Sequence, residues 1–171
     1  MIAPPAVTTP AAADVCNRCS VAPTPTIRVR ATRLTFHVAE AASDYGFANT
    51  PSEAAAIARA VIGDDTSECV IALYVNTRHR VIGYSEIARG SLNSARFAPR
   101  DVFARALILN ARGVILAHNH PSGDPTPSSA DRRCTHTLRQ GASILGVDFI
   151  DHLVVTANAG VSMRSNDPSW R

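Results

Sequence analysis

His118 and His120 flank a single asparagine at the end of an apolar run, Gly113-Val-Ile-Leu-Ala117, and Asp131 follows after a loop rich in proline and glycine. A run of that length and composition reads as a buried strand, along which side chains alternate between faces. His118 and His120 would then project to one side and Asn119 to the other. Pro121, Gly123, Pro125 and Pro127 exclude regular structure as far as Ser128, where a helical pattern opens with Asp131 in its first turn. Two imidazoles from a strand end and one carboxylate from a helix start can meet across such a loop. Two nitrogens and one oxygen leave a fourth tetrahedral position open, the arrangement of a catalytic rather than a structural zinc site. The competing reading is a pair of solvated histidines beside a plain Ser128/Asp131 capping box. The rigid loop and the buried strand, which would hold both halves in place, favour the metal.

The pattern His118-x-His120, seven residues, Ser128, two residues, Asp131 resembles the signature of the JAB/MPN+ (JAMM) metalloprotease superfamily. The wording His-Asn-His-Pro-Ser-Gly-Asp-Pro-Thr-Pro-Ser, with Gly90-Ser-Leu-Asn93 and Pro99-Arg100-Asp-Val-Phe103 before it and Asp151-His152 after it, is similar to the RadC branch of that superfamily. The resemblance spans about residues 50 to 165. It implies the JAB/MPN fold, related to that of cytidine deaminases, and hydrolysis of an amide or isopeptide bond of a protein or peptide substrate by a zinc-activated water. It also implies that Ser128 stabilises the developing oxyanion, a role that competes with helix capping for one hydroxyl.

Hydrolysis of this kind needs a group that takes a proton from water and hands it to the leaving nitrogen. The chain has only four glutamates: Glu40 lies in a weakly patterned lead, Glu53 serves a cap and Glu68 precedes the first strand. Glu86, four residues before Gly90, matches the place of the superfamily's upstream catalytic glutamate and is the candidate. Its competing reading is an exposed edge-strand carboxylate. Arg96 and Arg100 would lie near the expected cleft. Asp151-His152 reads as a hydrogen-bonded structural pair rather than as support for the metal ligands. His37 and His79 read as solvated, and His136 is turned away from the Asp131 face of its helix.

The elements that must position these groups are legible from patterning. Thr50-Pro-Ser-Glu53 is a capping box with proline at the first helical position, opening a helix over Pro51 to Ile62 that stops at Gly63. Cys69 to Val75 and Arg80 to Ile87 read as a hairpin around Asn76-Thr-Arg-His79. A second amphipathic helix is predicted over Pro99 to Ala111, the central strand over Gly113 to Ala117, and a third helix over Ser128 to Leu145. Val147 to Ile150, Leu153 to Thr156 and Val161 to Met163 read as closing strands. The sum is an α/β fold, a mixed β-sheet flanked by helices.

Composition limits the alternatives. The chain has 171 residues, of which 46% are hydrophobic and 18% charged, the profile of one globular domain. No apolar run approaches membrane-spanning length and the N-terminus lacks the pattern of a secretory signal, which points to a cytoplasmic protein with no membrane partner. Residues 1–26, rich in proline and alanine, read as a flexible tail, 27–49 as a poorly defined lead and 50–171 as the metallohydrolase domain, a stand-alone module. Cys16 and Cys19 have the spacing of half a zinc ribbon with no second half, so free thiols are the better reading; Cys134 shares the Asp131 helix face but is expected to pack in the core.

All 17 basic residues are arginine, and the net charge of +3 is too small to imply nucleic acid by itself. A second functional class nevertheless stands beside the hydrolase: a DNA-repair-associated, RadC-like accessory protein in which arginines such as Arg28, Arg30, Arg132 and Arg133 contact phosphates. The sparse aromatic content, 5%, argues against it. Oligomeric state leaves no mark in the sequence.

Overall fold

The computed structural model describes residues 45–63, 65–90 and 97–170. The tail at 1–26, most of the lead segment, Cys16, Cys19, His37, Glu40 and Arg96 lie outside the described residues. The folded part is built on a five-stranded mixed sheet with helices on both faces. The elements in chain order are α1 (Pro51–Ile62), β1 (Cys69–Val75), β2 (Val81–Arg89), α2 (Pro99–Ile108), β3 (Gly113–Asn119), α3 (Ser129–Leu145), β4 (Asp148–Val155) and β5 (Gly160–Ser162), followed by a 3-10 turn at Pro168–Trp170.

Helix α1 starts where the sequence says it must. Thr50 Oγ1 accepts the Glu53 N–H at 3.2 Å and the Glu53 carboxylate accepts the Thr50 N–H at 3.1 Å, which satisfies two orphan donors of the first turn. Its alanine face, Ala54, Ala55 and Ala58, packs on Ile71, Leu73, Ile115 and Leu153 on one side of the sheet. On the other side Val70, Ala72, Tyr74 and Leu116 meet Val102, Phe103 and Ala106 of α2 and Leu138 and Ala142 of α3. The one hydroxyl in the middle of that second core, on Tyr74, is satisfied by Ser85 Oγ at 2.8 Å and the Val102 carbonyl at 3.2 Å.

The strand order is β2-β1-β3-β4-β5. β1 runs antiparallel to both β2 and β3, β3 and β4 are parallel, and β5 is antiparallel to β4. A parallel pair needs a crossover, and α3 supplies it, so β3, α3 and β4 form a βαβ unit with the helix lying over the second core. β3 is buried along its whole length, which is why it reads as an unbroken apolar run rather than an alternating one.

β2 (Val81–Arg89) and β5 (Gly160–Ser162) are shifted by one or two residues from the sequence-based expectation, and three further differences are larger or bear on the site. Helix α2 ends at Ile108 and not Ala111, because Asn110 turns to the left-handed region at φ +49° and the Ala111 N–H reaches back to the Ala106 carbonyl. The two closing segments at 147–150 and 153–156 form one strand, β4, with a register shift opposite Val114 and Ile115. β3 continues past Ala117 through His118 to Asn119, so the first histidine lies inside the ladder. Among the described residues no helix is long and apolar enough to cross a membrane.

Leu116, fully buried under α2 and α3, is expected to cost about 2–5 kcal/mol on replacement by alanine. Ile144, 84% exposed on α3, should tolerate the same change within about 0.5 kcal/mol. Urea unfolding of Leu116→Ala and Ile144→Ala measures both, and equal destabilisation would contradict the two-faced core.

Candidate metal centre

His118, His120 and Asp131 meet at the carboxyl end of β3. A donor atom from each lies within 4.8 Å of the other two, and among the described residues this is the one such group of histidine, cysteine and acidic side chains. His118 is fully buried, Asp131 is 1% exposed and the His120 side chain 14%. Strand alternation turns both imidazoles to the α3 face, and their Nε2 atoms come to 3.0 Å of each other. Asp131 is delivered by the capping of α3. Ser128 Oγ accepts the Asp131 N–H at 3.2 Å, and Asp131 Oδ2 accepts the Ser128 N–H at 2.6 Å. The box consumes Oδ2 and aims Oδ1 at His118 Nε2, 3.3 Å away.

Proton counting shows what this arrangement lacks. Thr135, one turn beyond Asp131, donates its single hydroxyl proton to the Asp131 carbonyl at 2.7 Å, a better acceptor than Met163 Sδ at 3.5 Å. His152 Nδ1 lies 2.6 Å from the Thr135 hydroxyl oxygen and must therefore be the donor. Burial holds the His152 pKa well below the ordinary value, with His118 and His120 adding to the effect, so the ring is neutral and its Nε2 is an acceptor. His118 Nδ1, 2.9 Å away, then carries the proton that His152 Nε2 accepts. Burial also lowers His118 to about 4, against an opposing pull from Asp131, so its Nε2 is a bare lone pair. His120 Nδ1 faces the Asp124 carbonyl at 2.7 Å and can only donate there, so the metal-binding form of the ring, with its proton on Nδ1, presents a bare Nε2 as well.

In that form two imidazole lone pairs and a carboxylate oxygen converge on one point. Asp131 Oδ1 is, among the described residues, the buried side-chain polar atom without a hydrogen-bond partner. Unpaired buried acceptors are costly, and three facing one another repel. A divalent cation resolves all three at once, and the donor set suits a borderline metal with nitrogen and oxygen ligands.

Other sequence-predicted residues fall differently. Glu86 is not brought to the trio. A bulge between Val70 and Ile71 places it opposite Ile71, on the α1 face of the sheet, where its exposed carboxylate is clamped by Arg89 at 2.7 and 3.1 Å; Arg89 also pairs with Asp65. Arg100 is exposed at the start of α2, where Pro99 lies against Gly141, about 15 Å along α3 from Asp131 at 1.5 Å per residue. Cys134 packs in the core beneath α3, its thiol pushed up to about 12 by burial and then by Asp131. His136 is exposed, and His79 sits in the hairpin turn at φ +57°. Asp151 and His152 are hydrogen-bonded, the carboxylate accepting the His152 backbone N–H at 2.7 Å; Asp151 also ties Ser162 and Arg164, and the His152 ring orients His118.

Two residues gain weight. Asn119, on the face away from the trio, accepts the Cys69 N–H at 2.6 Å and donates to the carbonyls of Asp65 and Ser67 at 3.1 and 3.0 Å. It thereby fixes the chain entering β1. Val70 is paired with His118, and Glu68 lies half-buried just outside β1, two residues before Val70, where continued alternation would turn it to the α3 face. Its carbonyl is held by the Gly90 N–H at 2.8 Å. The signal available in the sequence was a count of two back from Val70, usable only once the β1/β3 register is known.

The fold and site together define a mixed-sheet α/β domain with a candidate metal centre at the end of its central strand. The chain matches the family model described as the RadC-like JAB domain over residues 48–168, and it belongs to that family. It is 42% identical over 115 residues to a UPF0758 protein of Halorhodospira halophila, covering 67% of this chain and 51% of that one. A UPF0758 protein of Polaromonas sp. is 39% identical over 126 residues, 74% of this chain and 56% of the relative. One from Stenotrophomonas maltophilia is 48% identical over 95 residues, 56% and 41%. The chain therefore spans about half the length of the curated relatives it matches.

Because His152 sets the tautomer of His118, His152→Phe, which keeps a ring but removes the acceptor, should weaken divalent-metal affinity by about 10–100-fold while circular dichroism stays unchanged. Competition with a chromogenic chelator measures this, and an unchanged affinity would remove the relay from the account.

Proposed function

We propose that the chain is a zinc-dependent hydrolase of amide or isopeptide bonds. The observation that carries this reading is the convergence of three ligand atoms, one of them a buried orphan oxygen, beside an open loop at a strand end. His118, His120 and Asp131 would hold the ion. Zinc bound there supplies Lewis-acid polarisation of a carbonyl and lowers the pKa of water towards about 7.

The chain's own residues account for the remaining requirements. The capping bond uses Ser128 Oγ as an acceptor, so its own O–H remains available to donate to a developing oxyanion; the two roles compete less than a single hydroxyl suggests. For proton transfer we assign Glu68 in place of Glu86. Glu68 is half-buried and continued strand alternation would turn it to the trio's face, whereas Glu86 is exposed on the opposite face and paired with Arg89. It would accept a proton from the attacking water and pass it to the leaving nitrogen.

Metal analysis of the purified chain should find about one zinc, lost in His118→Ala and in Asp131→Ala. On a library of fluorogenic peptide and isopeptide amides, Glu68→Gln should retain zinc and lose about 10²–10⁴-fold in kcat, and Glu86→Gln should stay within a few-fold of the parent. Absence of zinc after reconstitution would sink the hydrolase reading. Loss of activity in Glu86→Gln alone would overturn the assignment of the base.

A further inference from the structure

A cavity of about 570 Å³ opens at the carboxyl ends of β3 and β4, the part of a parallel α/β unit where ligands usually sit. Its lining includes His120, one of the three residues of the metal centre, and it is walled by the end of α1 at Arg59 and Ile62, by Pro121, and by the turn after β4. That turn is tied to the centre, since the Val155 carbonyl accepts the His120 N–H at 2.9 Å.

The charges on this wall are unequal in their freedom. Asp65 also lines the cavity, but one carboxylate oxygen is paired with Arg89 and the other accepts the Ser67 N–H. Arg59 is half-buried, and one of its terminal nitrogens donates to the Ala159 carbonyl at 3.3 Å. Among the described residues it forms no ion pair, although Asp65 lines the same cavity. A guanidinium carries five donors in a planar fork, so most remain for a ligand, and a carboxylate is the group that matches the fork. Ile62, Pro121 and Val155 supply apolar surface beside it.

We propose that this cavity is a carboxylate subsite in which Arg59 selects amides whose leaving group is an amino acid with a free carboxylate. The inference rests on the hydrolase reading of the adjacent centre. Hydrolysis of such a substrate forms a bond from the water oxygen to the carbonyl carbon and breaks the C–N bond. Both water protons end on the leaving nitrogen, one as the C–N bond breaks and one from the new carboxyl group, so an acyl carboxylate and the amino acid ammonium are the products. Arg59 acts as a binding residue, holding the carboxylate of the leaving amino acid while the scissile amide lies towards His120.

The test uses the full chain with two probes, N-acetyl-alanyl-alanine and its C-terminal carboxamide. On metal-free, nitrogen-15-labelled protein, the acid should shift the Arg59 Nε–H resonance, assigned by its loss in Arg59→Lys, and the carboxamide should not. On zinc-loaded protein, the KM for the acid should be about tenfold or more below that for the carboxamide. Arg59→Gln should abolish the difference with little change in kcat, and Arg59→Lys should keep part of it. A role limited to holding the turn at Ala159 would move both probes equally and overturn the proposal. Equal binding of both probes to the parent chain, or a preference retained in Arg59→Gln, would overturn it as well, even if both are cleaved. An Arg59 shift with neither probe cleaved would sustain the subsite and count against the hydrolase reading instead.

Discussion

The constraint on which the rest depends is the meeting of His118 Nε2, His120 Nε2 and Asp131 Oδ1 in a place almost closed to water. Bringing three acceptors together there is unfavourable without a cation, and the structure tolerates it because every other hydrogen-bonding atom of the three side chains is already committed. Oδ2 of Asp131 is held by the Ser128 N–H, Nδ1 of His118 by His152, and Nδ1 of His120 by the Asp124 carbonyl. Each commitment removes a way of relieving the repulsion locally. What remains is a site preorganised towards one kind of guest.

Much of the architecture follows from serving that point. β3 must run buried from Gly113 to Asn119 so that His118 arrives within the ladder, and its β4 side must be parallel so that His152 comes alongside. The parallel pairing in turn requires a crossover, and the crossover helix is the one that starts with Asp131. The loop between strand and helix, from His120 to Ser128, carries His120 and its partner Asp124 within a few residues. The same connection that closes the βαβ unit thus assembles the centre. Relatives named UPF0758 are about twice as long as the segment this chain matches, so the module recurs in larger proteins.

Legibility from sequence followed the range of the interactions. Helix α1 could be read to the residue because Thr50, Pro51, Glu53 and Gly63 are local signals whose meaning needs no tertiary partner. The trio was legible because its two halves sit on one strand and one helix start joined by a short rigid loop. Pairing across strands was not. Glu86 and Glu68 are both glutamates near an end of the hairpin, and which of them faces the α3 side is decided by a bulge opposite Ile71 and by Asn119 reaching to Cys69. His152 was likewise visible as half of Asp151-His152, yet its real partner is 34 residues away. Asn110 ended α2 early by a left-handed turn that its helical spacing gave no reason to expect.

Zinc K-edge X-ray absorption on the reconstituted chain tests the central claim most directly, because it reports the donor atoms rather than affinity or rate. A first shell of nitrogen and oxygen at about 2.0–2.1 Å, with the outer-shell pattern of two imidazoles and no sulfur, is the expected result. A sulfur shell at about 2.3 Å would place the ion on cysteines and contradict the assignment of His118, His120 and Asp131.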